Sequence, residues 1–166
     1  MNTHPLFSYL QFQTIELMVT FNKRVLLILS VLTLIFMGRV FAQLIQLINP
    51  IGFLPPFDQW QSGTMAYHWL FLSQILILGL QITILIKIRF QTYIYRIYRG
   101  KAIYIFGIVY FSMSVLRLFF GGLFLEEHPF WGATIPSIFH VFLSSFFLIL
   151  GLYEVRNSNK LNTFKV

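Results

Sequence analysis

Cysteine is absent from this chain of 166 residues. The absence excludes disulfide bonds, thiolate metal sites, iron–sulfur clusters and cysteine nucleophiles, and it leaves the redox compartment undetermined. Charged residues are also scarce, at 10% of the chain, whereas hydrophobic residues make up 57%. A soluble globular domain carries roughly 25% charged residues, so this composition excludes that class.

Recognisable catalytic motifs are missing as well. The sequence contains no HExxH zinc motif, no GxSxG nucleophile elbow, no phosphate-binding glycine loop and no dinucleotide fingerprint. Nothing in the sequence therefore supports the enzyme classes that those motifs identify.

What the chain contains instead is four long apolar runs. Each is long enough to cross a hydrocarbon core of about 30 Å as an α-helix. The predicted spans cover residues 25–48, 68–86, 102–124 and 133–153. We therefore predict an all-α membrane protein with a single transmembrane domain, folded as an antiparallel four-helix bundle.

The segments outside the spans carry separate predictions. Residues 1–22 have no strong hydrophobic period and are predicted to be an interfacial or irregular arm. The connection 48–67 contains three prolines and is predicted to be a loop that lies on the mouth of the bundle. Gly100 is a candidate helix stop. The polar residues 154–166 are predicted to be a frayed cytoplasmic tail.

The first span also has features of a signal peptide, because the basic pair Lys23 and Arg24 precedes its apolar core. The apolar run continues past Arg39, however, and no cleavage site of small residues follows. We therefore interpret residues 25–48 as a membrane span.

Positive charges are distributed unevenly between the two ends of the spans. One end has ten of the twelve basic residues: Lys23, Arg24, Lys87, Arg89, Arg96, Arg99, Lys101, Arg156, Lys160 and Lys165. The loops at the other end have none and carry the acidic Asp58, Glu126 and Glu127. Loop lysines and arginines stay on the cytoplasmic side, so both termini are predicted to be cytoplasmic.

The segment 87–101 mixes five of these basic residues with four aromatic ones. Such a mixture beside two membrane spans favours contact with an anionic cytoplasmic leaflet over binding of nucleic acid. The lipid bilayer is therefore the predicted partner of this segment.

The two remaining basic residues, Arg39 and Arg117, lie inside spans one and three. Each lies about seven to nine residues from the predicted outer end of its span, and His140 enters span four to a comparable depth. A charged side chain in hydrocarbon costs at least about 2.5 to 3.5 kcal/mol, so both arginines should face the bundle interior. The other residues predicted for this polar layer are Gln43, Gln74, Ser137 and Ser144.

Two interpretations of this layer remain open. In the first, Arg39 and Arg117 hold an anion, such as a phosphate or carboxylate, and His140 hydrogen-bonds or transfers a proton. In the second, the arginines form ion pairs with the acidic residues of the outer loops, which are Asp58, Glu126 and Glu127.

The sequence contains side chains of the types that bind metal ions and haem. The outer loops hold possible ligands for a divalent cation at Glu126, Glu127, His128, His68 and Asp58, but such acidic clusters also arise without metal, so no metal is predicted. Haem held between His68 and His140 is disfavoured because the two histidines lie at different depths.

Two functional hypotheses follow. The first is a subunit or accessory of a larger membrane assembly, or a lipid-interacting protein. The alternative is an enzyme or carrier that acts on an anionic amphiphile, such as a lipid or quinone-like molecule, in an outer-leaflet pocket. The polar layer is the candidate site in that case.

Overall fold

The computed structural model describes residues 5–63, 65–124 and 131–163, with side chains for 22–63, 65–121 and 131–159. The elements are α1 (Pro5–Ile48), a short 3-10 helix (Phe57–Trp60), α2 (Tyr67–Arg89), α3 (Ile97–Phe124) and α4 (Thr134–Thr163). The described residues contain no β-strand, so the prediction of an all-helical protein is confirmed for them.

Each of the four α-helices contains a stretch that is long and apolar enough to cross a membrane. These stretches are Asn22–Ile48, Tyr67–Arg89, Ile97–Gly121 and Thr134–Asn159. All four helices extend beyond the predicted spans, chiefly because they continue into basic or polar residues that hydropathy excludes. Four helices of this length and composition indicate a multi-pass integral membrane protein.

The two terminal segments are more regular than the sequence predicts. Helix α1 runs unbroken for 44 residues, so residues 5–22 belong to the helix that contains the first span. Helix α4 continues to Thr163, and the prediction of a frayed tail is wrong for residues 154–163. The physical reason lies at Glu154, whose side chain is fully buried among hydrogen-bond donors.

The helices pack in the spatial order α2, α1, α4, α3. Helix α4 packs along α3 and also contacts α1, whereas the described parts of α2 and α3 do not approach each other closely. One buried apolar cluster joins Val25 and Leu29 of α1 to Ile88 of α2 and to Leu150 and Tyr153 of α4. A second cluster consists of Phe36, Val40, Leu78 and Leu143.

Small residues recur every seventh position along the face of α3 that meets α4. They are Gly100, Gly107, Ser114 and Gly121. A Cβ atom at Gly107 would lie 2.7 Å from the backbone nitrogen of Leu148, and one at Gly151 of α4 would lie 2.5 Å from that of Tyr104. Both distances are too short for a side chain, so the glycines permit the close backbone approach typical of membrane helix pairs.

Gly100 belongs to this contact, and its prediction as a helix stop is wrong. It lies inside α3, and a Cβ atom there would lie 2.9 Å from the backbone nitrogen of Val155. The glycine serves helix packing at this position.

We expect Gly107→Ala to lower the free energy of unfolding by about 1 to 3 kcal/mol, because the new methyl group must push α3 away from α4. Gly79→Ala in α2 is the matched control, since nothing lies within 4 Å of a Cβ atom at that position. The control should be neutral or stabilising by up to about 1 kcal/mol. Unfolding in mixed micelles titrated with SDS measures both, and equal effects would contradict the packing described.

The connection between α1 and α2 lies against the bundle, as predicted, and contacts α1 and α4. Gln46 of α1 accepts a hydrogen bond from the Ile51 backbone N–H at 2.9 Å. Trp60 is buried, donates from its indole nitrogen to the Pro55 carbonyl at 2.9 Å, and stacks on Phe139 of α4. The loop thereby forms one wall of the polar layer.

Candidate functional site

Arg39 is buried in the bundle, with 7% of its surface exposed. One of its terminal nitrogens donates to the Trp60 carbonyl at 3.0 Å, and its guanidinium carbon lies 5.4 Å from the centroid of the Phe139 ring. Its Nε–H is buried without a hydrogen-bond partner within residues 22–63, 65–121 and 131–159. Arg39 therefore has neutral partners in this part of the chain, and its buried Nε–H remains available to another group.

Tyr110 of α3 and His140 of α4 form a hydrogen-bonded pair beside Arg39. The Tyr110 hydroxyl lies 2.5 Å from Nδ1 of His140, and the two rings meet edge to face. Which of the two atoms donates depends on the tautomer of the histidine. The pair links α3 to α4 at the level of the polar layer.

Two cavities adjoin this pair, and Tyr110 and His140 line both. The larger, of about 290 Å³, is also lined by Met113, Ser114, Arg117 and Trp131. The smaller, of about 110 Å³, is lined by residues of all four helices, including Arg39, Ser73, Gln74 and Phe139. Each cavity thus has one arginine in its wall, and no carboxylate is among the described residues that line them.

The predicted glutamines also meet each other. Gln74 of α2 donates from its side-chain nitrogen to the side-chain oxygen of Gln43 in α1 at 3.2 Å. Gln43 is fully buried and does not reach either cavity, whereas Gln74 lines the smaller one. The side-chain oxygen of Gln74 is buried and has no hydrogen-bond partner among the residues that the structure describes.

Ser137 and Ser144 do not join the site. Ser137 donates to the Ala133 carbonyl at 2.8 Å and Ser144 to the Val141 carbonyl at 3.0 Å, so both hydroxyls bond to the backbone one turn earlier. Serine in a helix commonly bonds back to its own preceding turn in this way. Their helical spacing placed them on the correct buried face, but spacing alone does not distinguish packing from a cavity wall.

Among the aromatic residues that line the two cavities, the sequence indicates Tyr110 but not Trp131 or Phe139. Tyr110 precedes Arg117 by seven residues, and that spacing places both on one helix face. The ring of Phe139 beneath Arg39 has no comparable signal, because it is one of 20 phenylalanines in the chain.

For the ion-pair interpretation, the structure describes the surroundings of Arg39. Arg39 contacts the Trp60 carbonyl and the Phe139 ring rather than Asp58. Glu126, Glu127 and His128 lie outside the described residues. Of the possible metal ligands, His68 is exposed beside Trp69, and the described residues hold no cluster of three or more metal-ligating side chains.

A second polar cluster lies at the other end of the helices, around Glu154. This carboxylate, with none of its surface exposed, accepts hydrogen bonds from the Tyr93 hydroxyl at 3.2 Å and the Arg96 backbone N–H at 3.0 Å. It also accepts one from Nε of Arg99 at 2.7 Å and forms an ion pair with that arginine at 2.6 Å. We call these four residues the Glu154 cluster.

The Glu154 cluster holds the turn between α2 and α3 against α4. Burial, and then the neighbouring carboxylate, raises the pKa of Tyr93 to about 12, so its hydroxyl remains a donor at neutral pH. Next to it, the hydroxyls of Tyr95 and Tyr153 lie 2.9 Å apart. Sequence reasoning overlooked this cluster because Glu154 was assigned to the polar tail.

No family model, curated protein or solved structure matches this chain.

Proposed function

We propose that this chain is a multi-pass integral membrane protein that binds the anionic head group of a membrane amphiphile in its polar layer. The observation that carries the proposal is the pair of adjoining cavities, which share Tyr110 and His140 and each have one arginine in the wall. The head group would be a phosphate or a carboxylate, since guanidinium groups form charge-assisted hydrogen bonds with both.

The electrostatics of the layer favour an anion. A buried charge among apolar helices costs at least about 2.5 to 3.5 kcal/mol unless it is compensated. Arg39 is compensated by a carbonyl and an aromatic ring, and its buried Nε–H lacks a partner among the described residues. An anion that accepts this N–H bond would supply the missing compensation.

The size of the cavities favours a head group over a whole lipid. The larger cavity, at about 290 Å³, is near the lower limit of about 300 Å³ for small-molecule pockets. Met113, which is 56% exposed, lines it and gives it an open side. Acyl chains would lie along the exposed apolar residues of α3, among them Val109 and Leu116.

The orientation is part of the proposal: the helices run antiparallel and both termini are cytoplasmic. The positive charges support it, and so does the apolar cluster in which the start of the α1 span meets the ends of α2 and α4. Because the chain has no cysteine, Gly52→Cys creates a single labelling site at an exposed position of the predicted outer loop. We expect an impermeant maleimide to label this cysteine in intact cells. We also expect a fluorescent reporter fused after Val166 to lie on the cytoplasmic side. The reverse result would overturn the orientation.

A membrane subunit is the second candidate. The observation that favours it is that α2 and α3 are largely unburied and remain apart, which leaves space beside α1 and α4 for another helix. The experiment below separates this candidate from the first by the mass of the bound species.

Native mass spectrometry of the protein purified in a mild neutral detergent tests the proposal. We expect the unmodified protein to carry an adduct with the mass of an anionic amphiphile, and Arg39→Gln and Arg117→Gln to lose it. Arg24→Gln, which removes one exposed positive charge outside the layer, should retain it. A protein without adduct, or an adduct that survives both cavity substitutions, would refute head-group binding, and an adduct of protein mass would support the subunit.

A further inference from the structure

The turn between α2 and α3 has a well-defined conformation. Helix α2 ends with hydrogen bonds from Gln91 N–H to the Ile88 carbonyl at 3.2 Å and from Thr92 N–H to the Lys87 carbonyl at 2.9 Å. Gln91, the first of these two donors, has a φ of 55°, in the left-handed region. This is the Schellman pattern of a helix C-terminus, here with glutamine where glycine is usual.

The Glu154 cluster fixes the rest of the turn from beneath. Tyr93, the backbone of Arg96 and the side chain of Arg99 all bind one buried carboxylate of α4. The charge of Arg99 is thereby paired within the protein. Several other side chains of this segment are exposed on the outer surface instead.

That outer surface combines apolar and basic side chains. Phe90, Ile94 and Tyr98 are 71%, 68% and 85% exposed and recur at every fourth position. The exposed basic residues of the same segment are Lys87, Arg89, Arg96 and Lys101. We call these seven residues the basic-aromatic surface.

Water is a poor solvent for three large apolar groups. An apolar protein partner is a poor match for four positive charges in the same segment. The interface of a bilayer with anionic lipids satisfies both requirements, because aromatic rings favour the head-group layer and basic residues favour its phosphates. The segment also directly joins two helices able to span a membrane.

We propose that the basic-aromatic surface is a preformed binding surface for anionic phospholipid head groups. The Glu154 cluster holds the turn so that Phe90, Ile94 and Tyr98 enter the head-group layer while the four basic side chains contact phosphates. This inference is independent of the two cavities of the polar layer and concerns the opposite end of the helices.

The charge component is tested by lipid selectivity. The full chain is reconstituted in phosphatidylcholine vesicles that contain spin-labelled phosphatidylglycerol or spin-labelled phosphatidylcholine, and the motionally restricted fraction of each is compared. We expect a preference for phosphatidylglycerol that decreases with added salt. The double substitution Lys87→Gln/Arg96→Gln should reduce that preference by up to about 25-fold, since each basic residue near the surface contributes about fivefold.

The matched control is Lys23→Gln/Arg24→Gln, which removes the same charge from exposed residues at the start of the α1 span. A smaller loss in the control supports a localised surface. Equal losses in the two variants would overturn the proposal, because they would show a response to net charge alone.

The apolar component is tested by depth. A fluorophore on Ile94→Cys, unique because the chain has no cysteine, should be quenched strongly by lipids that carry a nitroxide near the head group and weakly by aqueous iodide. The reverse pattern would show that the surface faces water or a soluble partner and would overturn the proposal. Circular dichroism of each variant excludes misfolding as the cause.

Discussion

Replacing Arg99 with leucine should lower the free energy of unfolding by about 3 kcal/mol. The substitution leaves the Glu154 carboxylate, none of which is exposed, without its charged partner. Breaking a buried ion pair costs about 3 to 5 kcal/mol. We expect the lower end because the Arg99 side chain is 43% exposed and because Tyr93 and the Arg96 backbone still donate to the carboxylate.

Two variants distinguish this ion pair from a general loss of charge. Arg96→Leu removes an exposed side chain but keeps the backbone N–H that binds Glu154, so it should change stability by less than about 0.5 kcal/mol. Adding Glu154→Leu to Arg99→Leu removes the uncompensated carboxylate and should restore part of the lost stability. SDS titration in mixed micelles measures all three, and a double variant less stable than Arg99→Leu would contradict this account.

The second large effect concerns the polar layer. Dodecyl phosphate at about 100 times its dissociation constant should raise the free energy of unfolding of the unmodified protein by about 2.7 kcal/mol. Arg117→Gln should abolish this stabilisation, since Arg117 lines the larger cavity. Arg24→Gln should retain it, and dodecyl maltoside, which carries no charge, should produce none.

The ion-pair interpretation makes a different prediction for the same variant. If Arg117 chiefly pairs with Glu126 or Glu127, Arg117→Gln lowers the stability of the ligand-free protein by about 3 to 5 kcal/mol. Adding Glu126→Gln or Glu127→Gln would then restore it. Stabilisation by dodecyl phosphate that persists in Arg117→Gln, together with that pattern, would contradict the proposed head-group site.

The sequence could place several polar residues at one level because counting residues from the ends of apolar runs gives depth along a helix. Arg39, Gln74, Arg117 and His140 lie around two adjoining cavities in the structure. Helical spacing also gave the buried face of Ser137 and Ser144, but it does not tell whether a hydroxyl bonds its own helix or a ligand. That difference depends on local backbone geometry.

The Glu154 cluster was beyond the reach of the same reasoning. A single glutamate beside a polar tail has the pattern of a solvated helix end, and its partners lie 55 to 61 residues earlier in the chain. Contacts over such separations depend on how the α2–α3 turn folds back onto α4. The seven-residue recurrence of the small residues Gly100, Gly107, Ser114 and Gly121 is the feature that indicates the close contact of α3 with another helix.

Photochemical labelling locates the bound head group most directly. A dodecyl phosphate with a diazirine next to its phosphate is bound to the full chain in neutral detergent, irradiated, and mapped by peptide mass spectrometry. We expect the label on residues that line the larger cavity, chiefly Met113 and Trp131, with competition by unlabelled dodecyl phosphate and loss in Arg117→Gln. Labelling confined to the basic-aromatic surface or to the exposed Trp69, with none on the cavity residues, would contradict the account.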